Sequence, residues 1–307
     1  MINVRLLQFG GRRAHLGLLL AATLAGPAIA APADEEIAVT AERLNRSVLR
    51  AEAERFVRKA VADTRNNQNA RFMKPLCVES IGVTAQVGSI FITRVTEVAR
   101  HVGLAIDKPG CAPNLVLVFT RDAAQLIKTI GKRNSRVLDG LPGPDRAVLK
   151  RPGLPVRWWH HTAPEASDGR QFAPAGFGIG GVQGDVTYNN YARASRIDEP
   201  SRVAITGAVV VVDIGLVGAV TPAALSDYIA LVGLSRVRME PANRPTPSIL
   251  QLFDPGGAAI AGFSPQDELF IESLYRTRAN LTGAQQRAAM AGYIADEAVK
   301  ATSTRAK

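Results

Sequence analysis

The stretch "SDYIALVGLSR", residues 226–236, decides how the rest of this chain is read. Together with the residue before it, it places Leu225, Ile229 and Val232 at the i, i+4, i+7 spacing of one helical face. The preceding "TPAA" supplies a start signal. Thr221 is a good N-cap, and Pro222 takes the first helical position, where its missing N–H costs nothing. Gly233 reads as the residue that closes the helix in the C′ position.

On the N-terminal side lies "VAITGAVVVVD" (203–213), a β-branched run that predicts a central strand. Asp213 at its end reads as a cap or turn residue before it reads as a catalytic acid. On the C-terminal side, "FSPQDELFIESLY" (263–275) repeats the start device: Ser264 caps, Pro265 opens the helix, and Asp267 completes a capping-box-like pair. An Ala-rich helix is expected over 283–298, followed by a frayed tail.

Taken in this order, the segment resembles the zinc-binding region of zincin and metzincin metallopeptidases. In those enzymes HExxH places two histidines on one helical face, with the Glu as general base. The longer HExxHxxGxxH lets a glycine turn the chain so that a third histidine reaches the ion. Laid on that pattern, Ser226 stands at the first His, Asp227 at the Glu, Ala230 at the second His, Gly233 at the Gly and Arg236 at the third His. "RPTPSILQLF" (244–253) resembles the segment carrying the Met-turn, with Leu250 near the methionine position. Leu274-Tyr275 resembles the matrixin ending. The resemblance covers residues 203–276, and it extends to a group of secreted bacterial proteins of unknown function. It implies a zincin-like fold whose helix has lost every ligand. Serine and alanine cannot replace imidazole on zinc, and Arg236 brings positive charge to where a cation would sit. No metal, cofactor or catalytic residue is therefore expected at this position, and a binding cleft lined by Ser226, Ala230 and the 160–185 loops is.

Upstream, residues 31–44 form a lead-in with a strand-like "IAVTA" (37–41), and apolar spacing predicts helices over 45–62, 89–103 and 122–131. "NLVLVFT" (114–120) predicts a buried strand. Pro and Gly punctuate 132–200, which reads as long loops around short strands that include "VRWWHH" (156–161). The fold class expected is α+β: a small mixed sheet with packed helices and long loops, one domain over 31–282 and a C-terminal helix and tail over 283–307.

The first 30 residues have the form of a secretory signal: Arg5, Arg12 and Arg13, then "LGLLLAATLAG", then a small-x-small site predicting cleavage after Ala30. A periplasmic or secreted protein is expected. Beyond the signal, 34 basic residues face 27 acidic ones, without a basic run. Nucleic acid is not an expected partner; a peptide, a protein or an envelope component is. Cys77 and Cys111 are the two cysteines, and in an oxidising compartment they read as one disulfide.

Three histidines remain for any other metal chemistry: His101, His160 and His161. An active hydrolase or metallopeptidase using them as non-standard ligands is the alternative reading. "RWWHHT" also offers Trp158 and Trp159 for stacking on a ligand. On a strand, however, neighbours point to opposite faces, so His160 and His161 would not share one ion. Gly176, Gly178 and Gly181 match GxGxxG without a strand before or a helix after, so they do not form a phosphate cradle.

Overall fold

The computed structural model describes residues 33–62, 68–133, 135–138, 141, 143–169, 173–174, 187–188, 198–240 and 244–305. The chain divides into two units, residues 1–41 and 42–307. In chain order the elements are α1 (Ala33–Ala60), β1 (Arg71–Phe72), β2 (Val78–Ile81), α2 (Ala85–His101), β3 (Leu115–Thr120), α3 (Ala123–Arg133), α4 (Gly143–Leu149), β4 (Val156–Ala166), β5 (Ala173–Pro174), β6 (Thr187–Tyr188), β7 (Ser201–Asp213), α5 (Pro222–Leu234), α6 (Pro265–Arg276) and α7 (Gly283–Arg305). The fold is mixed α and β, as expected for α+β. Residues 37–41 are helical within α1, not a strand. The alternation of "IAVTA" is too short to override the helix formers that flank it. The GxGxxG glycines lie outside the described residues.

β7 is the axis of the sheet. One of its edges pairs parallel with β3, from Leu115 opposite Ala208 to Thr120 opposite Asp213, and further back with β1. β2 continues the parallel set beyond β3. The other edge of β7 pairs antiparallel with β4, from Val156 opposite Val212 to Ala166 opposite Ser201. The register shifts between His161 and Thr162, where the β7 strand carries the extra residue. Pro164 lies within β4 and cannot donate to a ladder; an edge strand is where a sheet accepts it.

Alternation along the strands sorts the core into two layers. Leu115, Leu117 and Phe119 of β3 and Ala208, Val210 and Val212 of β7 face α2, α5 and α6, and this is the main core. On the opposite face, Val211 and Trp159 pack with Ala123 and Ile127 of α3 and Leu149 of α4. α7 contributes Met290, Ala291 and Ile294 to the main core.

The two caps read from sequence form as expected. The Thr221 side chain accepts from the Ala224 N–H at 3.2 Å, with Pro222 opening α5. At α6, Ser264 and Asp267 form a reciprocal capping box. Asp267 does more than cap, although it is wholly buried. Its Oδ1 accepts from Ser248 Oγ at 2.6 Å, and its Oδ2 from Ile249 N at 2.7 Å and from Ser264 N at 2.9 Å. It thereby clasps the turn at 249–251 to the start of α6. Burial pushes its pKa up, against the pull of these donors.

Cys77 and Cys111 are joined in a disulfide that bridges the start of β2 to the loop before β3. Asn114 reinforces the same corner, accepting from Cys77 N at 2.8 Å and donating to Pro75 O at 2.9 Å. No helix among the described residues is long and apolar enough to cross a membrane.

Candidate functional site

α5 is apolar on nearly every side and is buried accordingly: each residue from Ala224 to Leu234 is buried. The four motif positions within α5, Ser226, Asp227, Ala230 and Gly233, therefore do structural work. Ser226 is 2 % exposed, and its Oγ donates to the Pro222 carbonyl one turn back at 2.7 Å. Ala230 is fully buried. Among the described residues neither faces an open cleft; α2 and the turn at 249–251 pack against α5 instead, and most of the 160–185 loops expected to line it lie outside the described residues.

Asp227 stands at the position of the general base in the motif. It is 7 % exposed and fully engaged. Its Oδ1 accepts from Arg94 Nε of α2 at 2.5 Å, and its Oδ2 accepts from Phe263 N at 2.9 Å. A β-carbon on Gly262 would stand 2.6 Å from Oδ2, so a glycine there lets the chain approach the carboxylate. Arg94 also lies over the Phe263 ring, 5.7 Å from its centroid. Asp227 is thus a latch joining α2, α5 and the lead into α6.

Gly233 is corrected as well. It lies inside α5, whose C-cap is Ser235, and does not close the helix in a left-handed turn. A β-carbon there would stand 3.3 Å from one Leu115 methyl and 3.7 Å from Val210. The glycine allows the helix to approach β3 and β7 closely, a packing reason that spacing alone does not separate from a cap. At the end of the segment, Tyr275 donates its hydroxyl to the Leu234 carbonyl at 2.9 Å and so ties α6 to the end of α5.

The "RWWHH" residues alternate as the pleat requires. Trp158 and His160 face α5, with Trp158 edge-on to Tyr228 at 6.0 Å between centroids and its Nε1 donating to the Val237 carbonyl at 3.3 Å. Trp159 turns into the opposite core, where its buried Nε1 has no acceptor among the described residues. His160 is buried, and its Nε2 lies 3.3 Å from the Gly233 carbonyl, to which it donates. Burial, with the charge of Arg236 nearby, pushes its pKa down to about 4, so the ring is neutral at pH 7. His161 is half-buried on the other face.

His101 stands elsewhere, at the end of α2, with Nε2 2.5 Å from Glu272 Oε1; Tyr293 donates to the other oxygen of Glu272 at 2.7 Å. Partial burial works to raise the Glu272 pKa, but these two partners hold it below the usual value. The three histidines do not converge. Among the described residues, no group of three or more His, Cys, Asp or Glu side chains is placed to hold a metal ion. Asp213 is a cap, as read: its Oδ2 accepts from Ala123 N at 2.9 Å at the start of α3 and its Oδ1 from Gly215 N at 3.2 Å.

Open space lies beside the end of α5 rather than over its middle. A recess of about 260 Å³ is lined by Trp158, Trp159 and His160 of β4, by Asp145 and Leu149 of α4, and by residues 236–240. Three consecutive strand residues can line one recess only at the strand's open edge, and among the described residues β4 pairs on one side only, with β7. Arg236 reaches the recess half-buried, and its guanidinium donates no hydrogen bond to a described residue. Burial lowers its pKa, and Asp145 acts against that fall. On β4, Arg157 is fully buried and holds the carbonyls of Leu149, Arg151 and Leu154, which shapes the turn between α4 and β4. Sequence reasoning missed Arg157, because an arginine inside a strand gives no sign that it will organise a turn.

Comparison with family models, with curated proteins and with solved structures finds no match.

Proposed function

We propose that this chain is an exported, zincin-like domain without zinc ligands that binds a peptide segment of a protein or envelope component and does not catalyse its cleavage. The zincin-like reading is supported by the order of β7, capped α5, the 249–251 turn and capped α6 ending in Leu274-Tyr275. Binding is favoured over catalysis because Ser226, Asp227, Ala230 and Gly233 of the helix motif have packing or latching roles, while Arg236 alone reaches open space. The observation that carries the proposal is the recess at the open edge of β4, with the guanidinium of Arg236 in it. A strand edge offers unpaired backbone groups to an extended peptide, and a guanidinium offers a fork for its carboxylate.

Two measurements test this. Elemental analysis after zinc loading and desalting should find near-zero metal; one zinc per chain would overturn the metal-free reading. Panning a random peptide library should then return acidic peptides whose affinity falls roughly tenfold with Arg236→Gln. Peptides indifferent to that change would rule out the β4 recess as the site.

A further inference from the structure

Four basic residues scattered in the sequence meet at one place in the fold. Lys128 and Lys132 are one turn apart on α3; Arg146 on α4 and Lys150 just past its end have the same i, i+4 spacing. The two pairs, with Gly131 and Leu138, line a recess of about 290 Å³. All four side chains are exposed, and no carboxylate is among the described residues that line the recess. None of the four forms an ion pair with a described residue. Arg146 Nε donates to the Leu141 carbonyl at 3.1 Å, which braces the guanidinium at the turn before α4. Leu138 is buried beneath.

We infer that this recess is an anion-binding site for a phosphoryl group carrying more than one negative charge. Four like charges drawn together repel one another, and a multivalent anion bound among them removes that repulsion. A phosphate presents several acceptor oxygens at once, enough for one guanidinium and several ammonium groups in charge-assisted bonds. A single carboxylate presents two oxygens and one charge, which leaves most of the cluster uncompensated. α4 separates this recess from the one at β4: Asp145 and Leu149 line that one, Arg146 and Lys150 line this one. The site is independent of the peptide-binding proposal. The same chemistry is carried by a free polyphosphate and by phosphorylated lipid headgroups at a membrane surface.

The test is calorimetric titration of the purified protein with inorganic tripolyphosphate at low salt, beside flotation with vesicles containing phosphatidic acid, whose headgroup is a phosphomonoester, and with phosphatidylcholine vesicles. Binding of tripolyphosphate is expected, weakened at least tenfold by Lys132→Glu with Lys150→Glu and unaffected by Lys74→Glu with Lys108→Glu, which make the same charge change at exposed sites elsewhere. The milder Lys132→Gln with Lys150→Gln should give an intermediate loss, and thermal melting checks that each variant is folded. Flotation with phosphatidic acid that tripolyphosphate competes away would assign the headgroup as the source; tripolyphosphate binding without flotation would assign a soluble ligand. Equal loss in the two glutamate pairs would mean attraction to net charge alone and would overturn the site, as would no binding to either probe.

Discussion

Arg94 Nε stands 2.5 Å from Asp227 Oδ1, and the second oxygen of the same carboxylate holds the backbone N–H of Phe263. One side chain on a buried helix thus fixes a neighbouring helix and the approach to a third. An acid at this position suggests chemistry when read in sequence, yet its two oxygens are committed to structure.

Asp227→Ala should destabilise the protein by about 2 kcal/mol, because it strands a backbone donor and a guanidinium. Arg94 is more than a third exposed, which keeps the loss below that of a fully buried pair. A double-mutant cycle with Arg94→Met, read by chemical denaturation, should give a coupling energy of about 1 kcal/mol. Additive effects of the two changes would show that the contact contributes nothing.

Gly233→Ala should cost stability even though alanine favours a helix by about 1 kcal/mol over glycine. The new methyl meets Leu115, itself fully buried, at 3.3 Å, and overpacking of this kind costs about 1–3 kcal/mol. Gly233→Leu should be far worse. Shaving the neighbour with Leu115→Val should recover part of the loss in the alanine variant. A more stable Gly233→Ala protein would mean that the helix has room at β3.

Acidification should weaken the fold through His160. Its folded pKa is pushed down to about 4 from an ordinary 6.5, so between those values the unfolded chain binds the extra proton. Stability therefore rises with pH across that window, by up to roughly 3 kcal/mol in total, and His160 adds nothing further above it. Asp267 acts with the opposite sign, since its raised pKa lets the native state take a proton first as pH falls. Melting curves from pH 4 to 7.5 for wild type and His160→Gln separate the two. The difference between them should vanish in slope above pH 7, and a parallel pair throughout would show that His160 is not buried neutral.

Replacing Cys77 and Cys111 by alanine, or reducing the bridge, should cost about 3–4 kcal/mol, since the cross-link closes a loop of 34 residues in the unfolded chain. Scanning calorimetry with and without reductant reads the loss directly. An unchanged melting temperature would mean that Asn114 alone is enough to hold that corner.

Much of the framework is legible because it rests on local rules. The valine run predicts β7, and Thr221-Pro222 and Ser264-Pro265 predict the starts of α5 and α6, because caps and β-branched runs act within a few residues. The alternation of Trp158 and Trp159 follows from the pleat. The site is less legible, because its meanings depend on partners far away in sequence. Gly233 can end a helix or let it touch a sheet, and only Leu115 and Val210 decide which. Asp227 depends on Arg94, 133 positions earlier. The cation cluster is invisible in sequence because 128, 132, 146 and 150 straddle a turn, and only the packing of α3 beside α4 unites them.

The back-to-back tryptophans have a practical corollary. They are the chain's two indoles, and adjacent residues of one strand send them into different cores. Trp158 lies edge-on to Tyr228 and donates to the Val237 carbonyl, whereas the Trp159 N–H has no acceptor among the described residues. The molecule therefore carries two intrinsic fluorophores, one for each layer, in unlike surroundings. In Trp159→Phe the remaining emission reports on the layer of α2, α5 and α6; in Trp158→Phe it reports on the layer of α3 and α4. Stopped-flow unfolding of the pair would show whether the two layers come apart together or in sequence.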